Sequence, residues 1–247
     1  MPTTSSFQSH PLIRKLEGSL SLSNDETRIL IDLPIQAVNL KAGQDITREG
    51  DRPSRACVVL EGYVCVYKVT GGGKRQIQAF HIPGDSPDLQ CLHLKVMDST
   101  VGALTACKVG FVPHEVLHAL CERHPRIAAA LWRNTLAEAA IFREWVTNIG
   151  RRESYYRIAH FLCEWVVRLR EAGLAVGNNC QLPMSQGDLA DALGLTTVHV
   201  NRVLQKLRAD GLIETRGPWL TIPDWERLME VGDFDPTYLH LGRAAAA

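Results

Sequence analysis

Long apolar runs are missing from this chain. No stretch approaches the roughly 18 to 20 apolar residues that a membrane span needs, and the opening MPTTSSFQSH lacks the basic-then-apolar layout of a secretion signal. A membrane or exported protein is therefore not expected, and the location implied is cytoplasmic. Net charge is missing too: Lys plus Arg and Asp plus Glu number 27 each. The chain as a whole advertises neither a polyanionic nor a membrane partner, so any such surface must be local. Cysteines in metal-ligand spacing are absent. Cys57, Cys65, Cys91, Cys107, Cys121, Cys163 and Cys180 are odd in number, widely spread and mostly flanked by apolar residues. That is the pattern of buried reduced thiols, not of a disulfide framework or a C-x-x-C zinc site. No metal site is expected. H-E-x-x-H, G-x-S-x-G and Walker motifs are absent as well. Gly71-Gly72-Gly73 precedes Lys74 but stands between strand-like runs, where it reads as a hairpin turn. Catalysis by a known motif is thus not expected.

What is present divides in two. With 247 residues, 45% of them hydrophobic, the chain can bury two separate cores. From about residue 35 to 112 it reads IQAVNLKAG, ACVVLEGYVCVYKV, RQIQAFHI and STVGALTACKVGFV, runs rich in Val and Ile and punctuated by glycine turns. Such closely spaced strands favour an antiparallel roll or sandwich. Past Pro113 the texture is helical: HEVLHALCERH, then a long helix from Pro125 to Ile149 with proline at its first position. Ile127, Leu131, Thr135, Glu138, Phe142, Trp145 and Ile149 step by three or four and form one stripe, which alanines thicken. A helix of about 24 residues rises roughly 36 Å, more than a small roll can cover. The surplus apolar surface predicts a second copy of the same helix as partner; a core helix within one chain is the alternative. Gly150-Arg151-Arg152-Glu153 breaks the period and marks a boundary.

Beyond it, SYYRIAHFLCEWVVRLREAG is a further amphipathic helix, and SQGDLADALGLTTVHVNRVLQKLRADGLI, residues 185–213, reads as two short helices joined by a tight turn. Ser185 with Asp188 makes a capping pair, and Gly194 permits the turn. In the second helix Val200, Val203, Leu204 and Leu207 share one side, which turns Val198, Asn201, Arg202, Gln205 and Lys206 outward or to the flanks. A helix so presented fits a major groove, where Arg202 can present two donors to guanine, Asn201 can pair with adenine or a phosphate, and Val198 can lie on a thymine methyl. The same two-helix hairpin with a merely solvated outer face is the competing reading. GLIETRGPWLTIPD, two strand-like pieces around Arg216-Gly217-Pro218, adds a wing. From Gln181 to Arg216 the charges cancel: Arg202, Lys206, Arg208 and Arg216 stand against Asp188, Asp191, Asp210 and Glu214. Phosphate affinity must then come from asymmetric placement, to which Arg151, Arg152 and Arg157 are expected to add.

A strand roll, a long helix and a winged helix-turn-helix, in that order, with LKAGQDITREGD, LEGYVCVYK, PGD, RIAHFLCE and DLADALGLTTVHVNRVLQKLRADGLI, resemble the Crp/Fnr superfamily of bacterial transcription regulators from about Leu12 to Tyr238. The resemblance implies an α+β fold: a double-stranded β-helix or jelly-roll-like sensory roll over 1–124, a dimerisation helix over 125–150 and a winged helix-turn-helix over 151–247. It implies a homodimer on a two-fold-related operator of double-stranded DNA, control of transcription through RNA polymerase, and a small-molecule effector. A sensor module without direct DNA function is the other reading. The implied DNA-contacting set is Thr197, Val198, His199, Asn201, Arg202, Gln205, Lys206 and Arg216; Val198 stands where many members carry Glu, so the operator should differ from the best-known consensus. The implied effector positions are Asp85, Lys95, Met97, Asp98, Ser99, Phe142 and Arg143. Members that bind cyclic AMP hold its phosphate with Arg and Ser, where this chain has Met97 and Asp98. An anionic phosphate would lose its charge-assisted fork, Lys95 being the one nearby cation, so orthodox cyclic AMP binding is not expected. An iron–sulfur cluster would need cysteines near the amino terminus, and the first is Cys57. Cys91-Leu92-His93 has the C-x-H spacing of carbon-monoxide-sensing relatives and could ligate haem; LQCLHL equally fits a core helix with Cys91 and His93 incidental.

Overall fold

The computed structural model describes residues 10–18 and 20–241. Its order of elements is α1 (Pro11–Glu17), α2 (Asn24–Ile31), β1 (Gln36–Leu40), β2 (Asp45–Thr47), β3 (Arg55–Glu61), β4 (Val64–Val69), β5 (Arg75–His81), α3 (Cys91–Leu94), β6 (Thr100–Ala103), β7 (Cys107–Pro113), α4 (His114–Arg123) and α5 (Pro125–Arg151). There follow α6 (Ser154–Glu171), β8 (Asn179–Gln181), α7 (Gln186–Leu193), α8 (Thr197–Ala209), β9 (Glu214–Arg216), β10 (Trp219–Thr221), α9 (Trp225–Gly232) and a closing 3-10 turn, Pro236–Leu239. The described residues fall into two compact units: those up to 68, 78–138 and 241 form one, and 69–77 with 139–240 the other.

Strands β1 to β7 make two sheets, β1-β7-β3 and β2-β6-β4-β5, in which the β1-β7, β3-β7, β2-β6 and β4-β6 pairs are antiparallel. β3, RACVVLE, is an unbroken apolar run because both its faces are covered. Cys57 and Val59 pack inward with Val64, Cys91, Met97, Val101, Val109 and Phe111. Ala56 and Val58, alternating with them along the strand, join Val112 in a second core with α1, α2, α4 and the start of α5, through Leu12, Leu16, Leu30, Leu117 and Ile127. The two N-terminal helices carry plain start signals, Pro11 at a first turn and a reciprocal Ser23–Glu26 capping box. Gly84, φ +102°, lies under α1 so closely that a Cβ there would stand 2.6 Å from the Pro11 carbonyl oxygen.

In the second unit Ile158, Phe161, Leu162 and Trp165 of α6 are at most 2% exposed; β9 and β10 pair as the predicted wing, and β8, which the sequence reading did not include, adds a third strand in the order β8-β10-β9. A buried carboxylate ties the unit together: Glu164, 1% exposed, accepts from Trp145 Nε1 at 3.0 and 3.1 Å and from the Tyr238 hydroxyl at 2.9 Å, with Arg168 at 3.5 Å. Three donors satisfy it, as burial of an ion requires.

The long helix runs two residues beyond its expected end, and its apolar stripe has a different phase. Ile127, Leu131 and Trp145 of the expected stripe are buried in the chain's own structure, but Phe142 is exposed and Glu138 is not part of an outward seam. The exposed positions that step by four and three are Trp132, Leu136, Ala139, Arg143, Val146 and Gly150. Both sides of this helix are apolar, and the inward side is chosen by the roll's and α6's side chains, which a helical period does not specify.

Candidate nucleic-acid interface

α7 and α8 are built locally as their residues dictate. The Ser185 hydroxyl accepts from the Asp188 amide at 3.1 Å, and Asp188 Oδ2 accepts from the Ser185 amide at 3.0 Å, a closed capping box. Gly194 ends α7 at φ +64°, the left-handed turn that glycine adopts without strain. Thr196 then caps α8 by accepting from the His199 amide at 3.2 Å. Val200, Val203, Leu204 and Leu207, all at most 6% exposed, pin α8 to the unit's core. At about 1.5 to 3 kcal/mol for each fully buried aliphatic side chain, this underside holds the helix rigidly enough to present its other edge.

On that edge Thr197, Val198, His199, Arg202, Gln205 and Lys206 are exposed, Val198 to 70%. Arg216 is exposed in the wing turn, and Arg208 Nε donates to the Thr215 hydroxyl at 3.2 Å, tying α8 to β9. The outer edge is therefore assembled as expected, with two refinements. The Asn201 amide is half-buried and donates to Gln186 Oε1 at 3.1 Å, so its nitrogen is committed to α7. His199 Nε2 lies 2.7 Å from Ser154 Oγ, which links the start of α8 to the start of α6.

The charge balance resolves in a way the sequence did not announce. Arg75 Nη2 donates to Asp188 Oδ1 at 2.6 Å and Arg75 Nε to Asp191 Oδ2 at 2.7 Å. Asp210 accepts from the Tyr155 hydroxyl, whose pKa is pushed up to about 12 by burial and by that bond. Three of the four acids are thus engaged, and Arg202, Lys206 and Arg216 remain on the surface. Lys206 sits 4.7 Å above the Tyr155 ring. The expected addition from the boundary arginines is corrected. Arg152 pairs with Glu144 at 2.7 Å and Asp233 at 3.3 Å, and Arg157 donates to the Leu193 carbonyl at 2.7 Å, closing the α7 end. Only Arg151 of the three is exposed. Arg75, Tyr155 and Ser154 are the residues sequence reasoning missed, since each meets its partner across 45 to 116 positions.

The five expected effector positions in the first unit, Asp85, Lys95, Met97, Asp98 and Ser99, differ in exposure and contacts. A cavity of about 10 Å³ in the first unit is lined by Leu12, Lys15, Asp85, Asn134, Thr135 and Glu138, among others; of the five, only Asp85 lines it. Asp85, 2% exposed, pairs with Lys15 Nζ at 2.7 Å. Met97 is turned into the roll core beside Cys91, and Ser99 donates to Gln78 Oε1 at 2.8 Å. Lys95 and Asp98 point to solvent, and Phe142 and Arg143 are exposed on α5 within the second unit. Such a cavity has room for about one water. The haem pair does not fit either. Cys91 is 1% exposed and its thiol is pushed up to about 11, first by burial and then by Asp88 and Asp98, against the thiolate that ligation needs. His93, two residues on, is exposed and stands edge-on to His118.

Comparison with known proteins places both halves. The cyclic nucleotide-binding domain family matches residues 37–124, and the Crp-like helix-turn-helix domain family matches residues 156–231. The nitrogen fixation regulation protein FixK of Bradyrhizobium diazoefficiens is 32% identical over 71% of this chain and 73% of its own. The transcriptional activator protein FnrA of Stutzerimonas stutzeri is 29% identical over 83% and 84%. Among solved structures, FixK2 of Bradyrhizobium japonicum superposes with a TM-score of 0.74 at 28% identity, covering 81% of this chain and 98% of that one. No helix among the described residues is long and apolar enough to cross a membrane.

Proposed function

This chain belongs to the Crp/Fnr family of DNA-binding transcription regulators, and from that premise we propose that it acts in the cytoplasm as a homodimer on a two-fold-related operator. One α8 enters each half-site, and regulation passes to RNA polymerase. The observation that carries the reading is α8 itself, fastened by a fully buried aliphatic underside and exposing Val198, Arg202, Gln205 and Lys206. Arg202 reads a guanine with two donors, Val198 covers a thymine methyl, and Thr197, His199, Lys206 and Arg216 hold phosphates. Asn201, anchored on Gln186, offers its carbonyl oxygen as an acceptor. The division into a sensory roll (1–124), a dimerisation helix (125–150) and a DNA-binding domain (151–247) follows from the same reading. The subunit contact runs along Trp132, Leu136, Ala139, Arg143, Val146 and Gly150.

The test is a mobility shift on duplexes selected from a random pool by the full-length protein. Arg202→Ala is expected to weaken the selected duplex by about 10- to 100-fold and to relax preference at one base pair of each half-site, as loss of a bidentate contact does. Failure of the wild type to retain any duplex, or unchanged base preference in Arg202→Ala, overturns the assignment.

An effector of this roll is not a cyclic nucleotide held in the orthodox manner. Met97 and Asp98 stand where members that bind cyclic AMP carry Arg and Ser: Met97 is buried and offers no donor, Asp98 would meet the phosphate with a carboxylate, and Lys15 is already paired with Asp85. Calorimetry with cyclic AMP should therefore give no saturable heat at micromolar concentrations. A micromolar Kd would mean that α1 leaves the Gly84 turn and that a different cation takes the phosphate.

A further inference from the structure

Residues 69–77, the tip of the β4–β5 hairpin, belong to the same compact unit as the helix-turn-helix. They bring to it a cation that the motif's own sequence does not contain. Arg75 forks onto Asp188 and Asp191, at 2.6 and 2.7 Å, and the neighbouring Gln76 Nε2 donates to the Ala192 carbonyl at 3.1 Å. Asp188 is fixed in place, because its other oxygen is occupied by the amide and hydroxyl of Ser185 in the capping box. Asp191 stands one helical turn further along the same side of α7. Without Arg75 these two carboxylates would form an uncompensated negative pair on the helix that backs α8. From 181 to 216 the formal charge is four positive and four negative, and Arg75 adds a fifth positive charge that the two aspartates of α7 hold.

We propose that Arg75 is a positioning residue for DNA binding: touching no base, it neutralises Asp188 and Asp191 and clamps α7, so that α8 meets the phosphate backbone with a positive surface. The inference rests on the reading of α8 as the DNA-reading helix. Half-exposed ion pairs contribute little to folding stability, whereas two bare carboxylates beside a polyanion act over a Debye length of about 10 Å. Arg75 therefore matters more to binding than to folding.

The experiment measures the affinity of the full-length protein for the duplex it selects from a random pool, across a range of potassium chloride concentrations. R75Q is expected to bind about tenfold more weakly at about 0.1 M salt, with the deficit shrinking as salt rises. The triple variant R75Q/D188N/D191N is expected to return to within about threefold of wild type, because the repulsive charges have gone with their partner. A merely structural role for Arg75 would leave the triple variant as weak as R75Q, and that outcome overturns the proposal, as does wild-type affinity in R75Q. A wild-type protein that retains no duplex overturns the DNA-binding reading and the proposal together, so the two failures are distinguishable.

Discussion

Leu136→Glu is expected to turn the protein into a monomer in sedimentation at micromolar concentration and to weaken binding to its two-fold operator by about 10²- to 10⁴-fold, the avidity lost when two linked contacts become one. The expectation follows from the surface of α5. Trp132, Leu136 and Val146 are 69, 54 and 64% exposed, and with Ala139, Arg143 and Gly150 they follow the four-three spacing of a coiled-coil seam. No aqueous helix keeps that much apolar surface in one line without a use for it. Against a second copy, the small residues Ala139 and Gly150 allow close approach, while Trp132, Leu136 and Val146 each add about 1.5 to 3 kcal/mol when fully covered. A glutamate at position 136 faces its symmetry mate across the two-fold axis of such a seam, adding charge repulsion to lost burial. A dimeric Leu136→Glu protein with undiminished operator affinity would place the subunit contact elsewhere.

How much of this was legible in the sequence differs by element, for physical reasons. The helix-turn-helix is specified locally. Ser185 and Asp188 cap, Gly194 supplies the left-handed turn, and four aliphatics at helical spacing choose the buried side, so sequence and structure agree residue by residue. The Ser23–Glu26 box and Pro11 were equally readable start signals for α2 and α1, but their short helices show little periodicity by which to notice them. The long helix was legible in length and not in phase. Ile127, Leu131 and Trp145 make one apolar side and Trp132, Leu136 and Val146 another, and only tertiary contacts decide which is internal. Least legible were pairings between distant residues. Arg75 reaches its partners across 113 and 116 positions, and nothing in GGGKRQ distinguishes the arginine that does so. The surroundings of the effector cassette were illegible for a related reason: a family position transfers a residue to a place in the chain, while the packing of Met97 against Cys91 and of α1 over Gly84 decides where the side chain goes.

Titration of the roll provides the second large effect, and it concerns Asp88. This carboxyl is fully buried; Oδ1 accepts from the Cys57 amide at 2.8 Å, and Oδ2 has no hydrogen-bond partner among the described residues. Burial pushes its pKa from 3.8 up to about 6, against the lowering effect of the Cys57 amide bond and of nearby His81. The sign is the reverse of the usual acidic residue. The native state binds the proton more tightly than the unfolded chain does, so no penalty exists below about pH 4, and the penalty grows as pH rises and is complete above about pH 6. A shift from 3.8 to about 6 corresponds to a penalty on the order of 3 kcal/mol at pH 8. Asp88→Asn keeps an acceptor for the Cys57 amide and removes the buried charge. It is expected to stabilise the roll by about 1 to 3 kcal/mol at pH 8, the lower end reflecting an amide N–H left without a partner. Its melting temperature should exceed that of the wild type by several degrees at pH 8 and converge with it, or fall slightly below, near pH 4.5. Thermal unfolding of both proteins between pH 4.5 and 8 checks this: parallel curves, with no excess stability of Asp88→Asn at the alkaline end, would mean that Asp88 keeps an ordinary carboxylate pKa in the folded roll.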